Sequence, residues 1–185
     1  MPHPNTLDSR NAVLAVIDIQ EAFRDAIPEF TSVVMRTVTA IDGFQTLGLP
    51  VLITEQYPRG LGRTAEEILL SVDDGAEIFE KSTFSAFGSE QFAGRLAELG
   101  RSQIVLCGIE THVCVNQTAH DLIAAGYSVH LLTDAVGSRS EQDKLAGLEK
   151  MRLSGVVTST VEMALFELMR DSKHEKFKEV QSLVK

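Results

Sequence analysis

The sequence predicts a doubly wound α/β fold built on a six-stranded parallel sheet, and two observations support this. Six short apolar runs recur along the chain: AVLAVID, PVLIT, EIFEK, QIVLCGI, SVHLLTDA and GVVTS. Segments with helical periodicity separate them, and strands that alternate with helices are typical of a parallel sheet covered on both faces. With 185 residues, 44% of them hydrophobic, the chain is expected to form a single domain over residues 1–185.

The predicted helices include the segments FTSVVMRTVTAIDGFQTL, GSEQFAGRLAELG and HVCVNQTAHDLIAAG, which follow the first, third and fourth apolar runs. Gly48, Gly100 and Gly126 each follow such a segment just ahead of a strand. This position favours helix C-caps over ligand contacts. The second strand is followed by the long irregular segment QYPRGLGRTAEE, and long loops at strand ends often carry function.

The C-terminal segment SKHEKFKEVQSLVK is predicted to form a solvated helix within residues 171–185. Its lysines alternate with glutamates, while Phe177, Val180 and Leu183 recur at roughly helical spacing. This apolar stripe is a possible contact between subunits, so the helix is compatible with a homo-oligomer.

The charge of the chain favours a small-molecule substrate over nucleic acid as a partner. There are 26 acidic and 17 basic residues, and the formal charge of -9 repels polyanions where no basic patch overrides it. The opening MPHPNTLDSRN lacks a signal-peptide core, and no run approaches the ~20 apolar residues of a membrane span. We therefore expect a cytoplasmic protein without a membrane partner, whose two cysteines are free thiols.

The strand order also predicts where a ligand binds. For this pattern the commonest order is 3-2-1-4-5-6, in which the winding reverses between strands one and four. Ligands of such sheets bind outside the carboxyl ends of these two strands. The first strand ends in Asp18 and the fourth runs into GIETHVC, so both motifs are expected to meet at one crevice.

Cys114 is the candidate nucleophile. If Thr111 caps the helix after the fourth strand, Cys114 falls in its first turn. There the helix dipole and free amides favour a thiolate, with a thiol pKa below ~8.5, and the amides could also hold an oxyanion. From position alone, a small buried core residue is an equally good interpretation. Cys107 lies inside a strand and is assigned to the core.

Asp18 and Lys81 are candidates for acid–base work. Asp18 follows an almost entirely apolar strand, and this partly desolvated position suits a general base. A carboxylate that caps the next turn is the alternative. Lys81 ends the third strand, roughly 10 Å from the first, so its long side chain must lean inward to meet Asp18. A surface lysine is the alternative there.

The histidines predict neither a metal site nor a catalytic dyad. The five of them, His3, His112, His120, His130 and His174, show no paired ligand spacing, so no metal and no cofactor are expected. His112 and Cys114 are two residues apart on a helix and point to different faces, which argues against proton transfer between them.

Three motifs then resemble the isochorismatase-like hydrolases: DIQEAF after strand one, EKSTFSAF after strand three and GIETHVCV after strand four. The resemblance extends from Val13 to Met169, and TEQYPRGLGRT is further similar to the isochorismatase-domain-containing branch. It implies a three-layer αβα sandwich of Rossmann-like type and a catalytic triad at Asp18, Lys81 and Cys114. It also implies a cis peptide at Ile109–Glu110, which would aim the amides of Glu110 and Cys114 at one oxyanion.

Two departures from the family narrow the expected chemistry. Nicotinamidases of this superfamily carry an Asp-x-His metal cluster after strand two, where this chain has Glu55, Gln56 and Tyr57. Isochorismatases themselves lack a cysteine at the nucleophile position, so Cys114 disfavours vinyl-ether cleavage. The prediction is hydrolysis of a C–N bond in a small amide through a thioester. Ester or carbamoyl hydrolysis, and a catalytically idle interaction module, remain alternatives.

Side chains near the motifs are candidate walls of a substrate pocket. They are mostly aromatic or amide side chains and would suit a small, flat or partly apolar amide. The candidates are Gln20, Phe23, Gln56, Tyr57, Phe84 and Phe87. Phe84 and Phe87 could equally be core residues. Arg59 and Arg63 either hold a substrate carboxylate or face water, and water is favoured.

Overall fold

A computed structural model describes residues 3–73 and 76–185 of the chain. In these residues six parallel strands form one sheet in the order β3-β2-β1-β4-β5-β6, which confirms the predicted topology. The strands are β1 Ala12–Ile17, β2 Val51–Gln56, β3 Glu77–Lys81, β4 Gln103–Ile109, β5 Ser128–Gly137 and β6 Val157–Ser159.

Helices cover both faces of the sheet, as the predicted sandwich requires. They are α1 Phe30–Thr46, α2 Pro58–Leu61, α3 Glu66–Ser71, α4 Glu90–Leu99, α5 Asn116–Ala124, α6 Glu141–Leu153, α7 Val161–Met169 and α8 Phe177–Leu183. Helices α1, α7 and α8 pack on one face, and α4, α5 and α6 pack on the other. No helix within residues 3–73 and 76–185 is long and apolar enough to cross a membrane.

The central strand β1 shows why both faces need a helical layer. All six of its residues are buried, and side chains along a strand point alternately to opposite faces. The even-numbered residues of Ala12–Ile17 pack with α1 and α7, whereas the odd-numbered residues pack with α4 and α5. A strand that is apolar on both faces is stable only between two layers.

The C-terminal helix differs from the prediction. It comprises only α8 within residues 171–185, and a turn separates it from α7, whose C-cap residue Arg170 has φ 65°. Val180 is fully buried against the core of its own chain, and the Phe177 ring packs edge-on against Phe166 at 6.1 Å. The apolar stripe of α8 therefore packs against the core of its own chain. It no longer supports a contact between subunits, and the homo-oligomer stays a prediction.

Gly108 allows β1 and β4 to approach closely just before both strands end. Its φ of 126° is a conformation that side chains rarely adopt, and a Cβ there would lie 2.1 Å from the carbonyl oxygen of Ile17. Ile17 precedes Asp18, and Gly108 precedes Ile109 and Glu110. A glycine at this position thus sets the distance between the two motifs at the crevice.

We expect Gly108→Ala to lower the free energy of unfolding by at least about 3 kcal/mol, because it combines backbone strain with a clash against backbone atoms. Urea denaturation measures this change. Gly94→Ala is the matched control: it lies inside α4, has open space around its missing Cβ, and should stabilise by roughly 0.5–1 kcal/mol. Equal stability of the two variants would contradict the prediction.

Candidate active site

Three polar groups from separate strands meet at the carboxyl end of the sheet. Asp18 directly follows β1, Lys81 ends β3, and Cys114 lies in the turn after β4. Asp18, Cys114 and Glu110 line one cavity of about 370 Å³, and Lys81 lies fully buried behind Asp18. A cavity of this volume accommodates a small molecule.

The Lys81 ammonium is bound on all sides. Its Nζ donates to Asp18 Oδ2 at 2.6 Å, to Gln56 Oε1 at 2.7 Å, and to the carbonyl oxygens of Thr83 and Phe84 at 3.0 Å. One strand, β2, lies between the strand of Lys81 and the strand that precedes Asp18, and the long lysine side chain spans this distance. Four acceptors surround the three protons of one ammonium, so Lys81 has no donor left for a substrate.

Asp18 is held at a fixed position by its neighbours on both sides. Its backbone has φ 51°, its side chain is buried, and Thr54 on the middle strand β2 donates to Oδ1 at 2.7 Å. Burial raises the pKa of Asp18, while Lys81 and Thr54 act in the opposite direction. A buried carboxylate of raised basicity can accept a proton and later return it.

Cys114 lies in a π-helical turn, Thr111–Val115, that continues into α5. The cap residue is Glu110 and not Thr111, whose hydroxyl donates to the Gly137 carbonyl of β5 instead. The Glu110 carbonyl accepts from the amides of Val113 and Val115, on either side of Cys114. The peptide bond Ile109–Glu110 is cis, as the family resemblance implies.

The expectation of a resting thiolate at Cys114 is wrong. Burial raises the pKa of this thiol from 9.0 to about 12, and the Asp18 carboxylate that faces it adds to the effect. Lys81 lowers the pKa of Cys114, but it does not compensate. The sequence suggests only the helix dipole, whereas desolvation and a facing negative charge dominate in the folded site. Burial and the facing carboxylate therefore favour the neutral thiol form of Cys114.

Glu110 and Arg139 form an ion pair that the sequence did not suggest. The Glu110 side chain is 7% exposed, and its Oε1 accepts from the Arg139 amide at 3.1 Å and from Nε at 2.8 Å. Arg139 follows β5 and is 61% exposed, and both residues line the cavity. The charge of Glu110 also raises the pKa of the Arg139 guanidinium. The two residues are 29 positions apart in the sequence, and nothing in the sequence around either of them indicates that they form a pair.

Three of the six predicted wall residues line the cavity: Phe23, Gln56 and Phe84. Gln20 is instead fully buried, where its amide binds the backbone of Gln56 and the Gly62 carbonyl. Because both polar atoms of the Gln20 amide are bound to backbone groups and the side chain is buried, Gln20 does not contact a substrate in the cavity.

Tyr57 and Phe87 also lie outside this cavity. Tyr57 lines a neighbouring cleft together with Arg59, and Phe87 packs against the core and the Tyr127 ring. Arg59 and Arg63 are both exposed.

The cavity also has walls that sequence reasoning missed. They are Leu61, Ile109, Val113 and Arg139. Ile109 and Val113 lie within the motif GIETHVC, which could have suggested them, and Leu61 lies in the long loop after β2. Only Arg139 had no signal, since nothing in the run after β5 distinguishes it from a surface arginine.

The histidines hold structural positions. His112 pairs through Nδ1 with the Ser138 hydroxyl at 3.1 Å, and His120 pairs with the Asn116 carbonyl and the Ser154 hydroxyl. In the described ranges, His, Cys, Asp and Glu side chains form no group of three or more that could hold a metal ion.

Structural neighbours with this sheet order are isochorismatase-fold proteins, so fold and crevice together define the class as an isochorismatase-like hydrolase fold. The chain belongs to the isochorismatase family, since the isochorismatase domain model matches residues 12–163. This confirms the resemblance inferred from the three motifs.

Several relatives are similar over nearly the whole chain. Isochorismatase domain-containing protein 1 of Danio rerio is 41% identical over 97% of this chain, which spans 62% of that protein's length. Isochorismatase domain-containing protein 2 of the same organism is 40% identical, with 96% of this chain and 89% of the relative covered. Among solved structures, the MAR1 ribonuclease of Caenorhabditis elegans is 36% identical with a TM-score of 0.92, covering 97% and 92% of the two chains.

Lys81→Met should lower the free energy of unfolding by about 3–5 kcal/mol, because it leaves the buried Asp18 carboxylate without its partner. Urea denaturation of the single variant and of Asp18→Asn/Lys81→Met measures the effect. The double variant removes both charges and should recover much of the loss. If the double variant is less stable than Lys81→Met, the buried charge is not the cause.

Alkylation of Cys114 by iodoacetamide should increase with pH up to about pH 10 without a plateau, since its raised pKa keeps the thiol protonated. Asp18→Asn removes the facing charge and should accelerate alkylation near pH 8 by about tenfold for each unit that the pKa falls. Peptide mapping by mass spectrometry measures the rates. Asp42→Asn, at a carboxylate on α1, is the control and should change nothing. Slower alkylation of Asp18→Asn would mean that Asp18 promotes the resting thiolate.

Proposed function

We propose that this protein is a cysteine hydrolase that cleaves the C–N bond of a small amide through a thioester intermediate. The buried contact of 2.6 Å between Lys81 and Asp18, at the base of a cavity that also exposes Cys114, carries the proposal. This arrangement supports Asp18 as the base, Lys81 as the charge that favours its ionised form, and Cys114 as the nucleophile that acts on a small substrate in the cavity.

In the first half-reaction, Asp18 accepts the Sγ proton of Cys114 as the sulfur attacks the carbonyl carbon. A C–S bond forms, and the carbonyl electron pair moves to oxygen, where the backbone amides of Glu110 and Cys114 stabilise the oxyanion. When the intermediate collapses, the C–N bond breaks and Asp18 returns its proton to the leaving nitrogen. Ammonia or an amine departs, and the acyl group remains on Cys114.

In the second half-reaction, water replaces the amine. The water oxygen attacks the thioester carbon while Asp18 accepts a proton from this water. The backbone amides of Glu110 and Cys114 again stabilise the oxyanion. Collapse breaks the C–S bond, Asp18 returns the proton to sulfur, and a carboxylic acid leaves. Lys81 takes no part in these proton transfers; its contact with Asp18 keeps the carboxylate oriented and favours its ionised form.

The similarity to a ribonuclease of Caenorhabditis elegans brings RNA forward as a second candidate substrate. Two observations favour a small molecule for this chain: its formal charge of -9 repels a polyanion, and the cavity volume is about 370 Å³. A ribonuclease would be expected to cleave single-stranded RNA oligonucleotides. Cleavage of such oligonucleotides should therefore be measured in parallel with amide hydrolysis.

Cys114→Ala should abolish turnover, with a loss of at least about 10³-fold, because no other group can form the thioester. Ammonia release from a panel of short primary amides measures turnover, and intact mass after acid quench detects the acyl-enzyme. Cys107→Ala is the matched control: that thiol is buried in β4, and its loss should leave turnover intact.

Other outcomes separate the alternatives. Cleavage of esters or carbamoyl compounds that depends on Cys114, without cleavage of amides, would retain the triad and overturn the amide assignment. Cleavage of RNA that survives Cys114→Ala would overturn the cysteine mechanism. If no substrate is turned over and no acyl-enzyme forms, the idle interaction module becomes the better account.

A further inference from the structure

Arg139 presents unused hydrogen-bond donors to the cavity. Its Nε is bound to Glu110, but among the described residues its Nη1 and Nη2 have no hydrogen-bond partner. A guanidinium has five N–H donors in a planar fork, and the Nη1–Nη2 edge matches the two oxygens of a carboxylate. Because Arg139 is 61% exposed and lines the cavity, this edge is accessible to a bound molecule.

Lys81, the cation behind Asp18, cannot take this role. The Lys81 ammonium is buried and surrounded by acceptors from the protein, so its charge is already committed to Asp18. Among the described residues that line the cavity, an anionic group therefore meets one cation with free donors, which is Arg139. The charges of Asp18 and Glu110 are each neutralised by a partner, so neither ion pair repels such a group strongly.

Glu110 fixes the direction of this fork. A single oxygen, Oε1, accepts from both the backbone amide and Nε of Arg139, which ties the side chain to its own backbone through one buried acceptor. Without such a tie, an exposed arginine samples many rotamers and loses entropy when it binds a ligand. Glu110 thus orients Arg139 in advance, in addition to the contribution of its backbone amide to the oxyanion site.

We propose that the substrate carries a carboxylate at the end opposite its scissile amide, and that Nη1 and Nη2 of Arg139 bind it. This rests on the proposed amide hydrolysis at Cys114. Phe23, Leu61 and Phe84 provide apolar walls for the short carbon chain between the two groups. The single positive charge of Arg139 balances a singly charged carboxylate, whereas a doubly charged phosphate would keep one negative charge without a partner among the described lining residues. The substrates are therefore short monoamides of dicarboxylic acids.

A matched pair of alkylating agents tests the anion site without any turnover. Iodoacetate and iodoacetamide differ by one charge. The second-order rate constant of iodoacetate at Cys114, divided by that of iodoacetamide, therefore measures how strongly the site attracts an anion. We expect Arg139→Gln to lower this ratio by about tenfold or more, from the loss of a charge-assisted hydrogen bond. Arg59→Gln, in the neighbouring cleft, removes the same charge from the chain and should leave the ratio unchanged.

Variants of Glu110 separate orientation from simple charge. Glu110→Gln keeps a side-chain oxygen that can accept from Arg139, so it should retain the iodoacetate preference or increase it. Glu110→Ala removes the acceptor and should lower the preference, although it also removes a negative charge. If both variants raise the ratio equally, Glu110 acts only through its charge and the orienting role is overturned.

Kinetics on paired substrates identify the ligand class. Succinamate and glutaramate are compared with butyramide and pentanamide, which have the same lengths without the carboxylate. In the wild type the carboxylated amides should have the lower KM, and Arg139→Gln should raise their KM at least about tenfold with little change in kcat. The neutral amides should not respond to this substitution.

The two proposals fail in different ways. If amides are hydrolysed but neither the carboxylate nor Arg139 affects KM, and the alkylation ratio is also unchanged, the anion site is overturned and the hydrolase stands. If no amide is hydrolysed but the alkylation ratio falls in Arg139→Gln, the anion site stands and the amide chemistry is overturned.

Discussion

The site depends on one buried ion pair, Lys81 with Asp18. Removing two charges from water costs several kcal/mol each, and this cost is offset only when geometry is good and the remaining donors and acceptors are satisfied. Here Thr54, Gln56 and two backbone carbonyls satisfy them. The strand order places β2 between the two charged residues, so the partners of the pair come from three adjacent strands. The pair also acts on Cys114: burial raises the pKa of this thiol most, the Asp18 charge adds to the increase, and Lys81 opposes it.

Close packing at two glycines supports the placement of the reactive groups. Gly108 allows β1 and β4 to approach where Asp18 and Glu110 follow them. Gly147 plays a similar part on α6, where a Cβ would lie 3.0 Å from the Cα of His112, two residues before Cys114. The turn that carries Cys114 is therefore packed between its own strand and a neighbouring helix. In such an environment a thiol has little freedom to move away from its base.

The loop after β2 owes its position to buried polar residues that do not touch the cavity. Glu55 accepts from both the amide and the hydroxyl of Thr64, and Gln20 binds backbone groups at Gln56 and Gly62. These bonds hold both ends of the segment from which Leu61 reaches the cavity. A motif residue such as Gln20 can thus serve the site by fixing a loop, which a sequence pattern does not distinguish from direct contact.

The sequence by itself determined the layered α/β fold, the strand order and the family, because these follow from local periodicity and from short motifs. It also indicated which crevice to examine, since parallel strands present their carboxyl ends at one edge. The tertiary structure alone showed that the C-terminal stripe packs on its own chain and that burial raises the pKa of the Cys114 thiol. It alone paired Arg139 with Glu110. Burial, charge balance and the direction of a side chain sum contributions from segments far apart in the chain, so no local pattern encodes them.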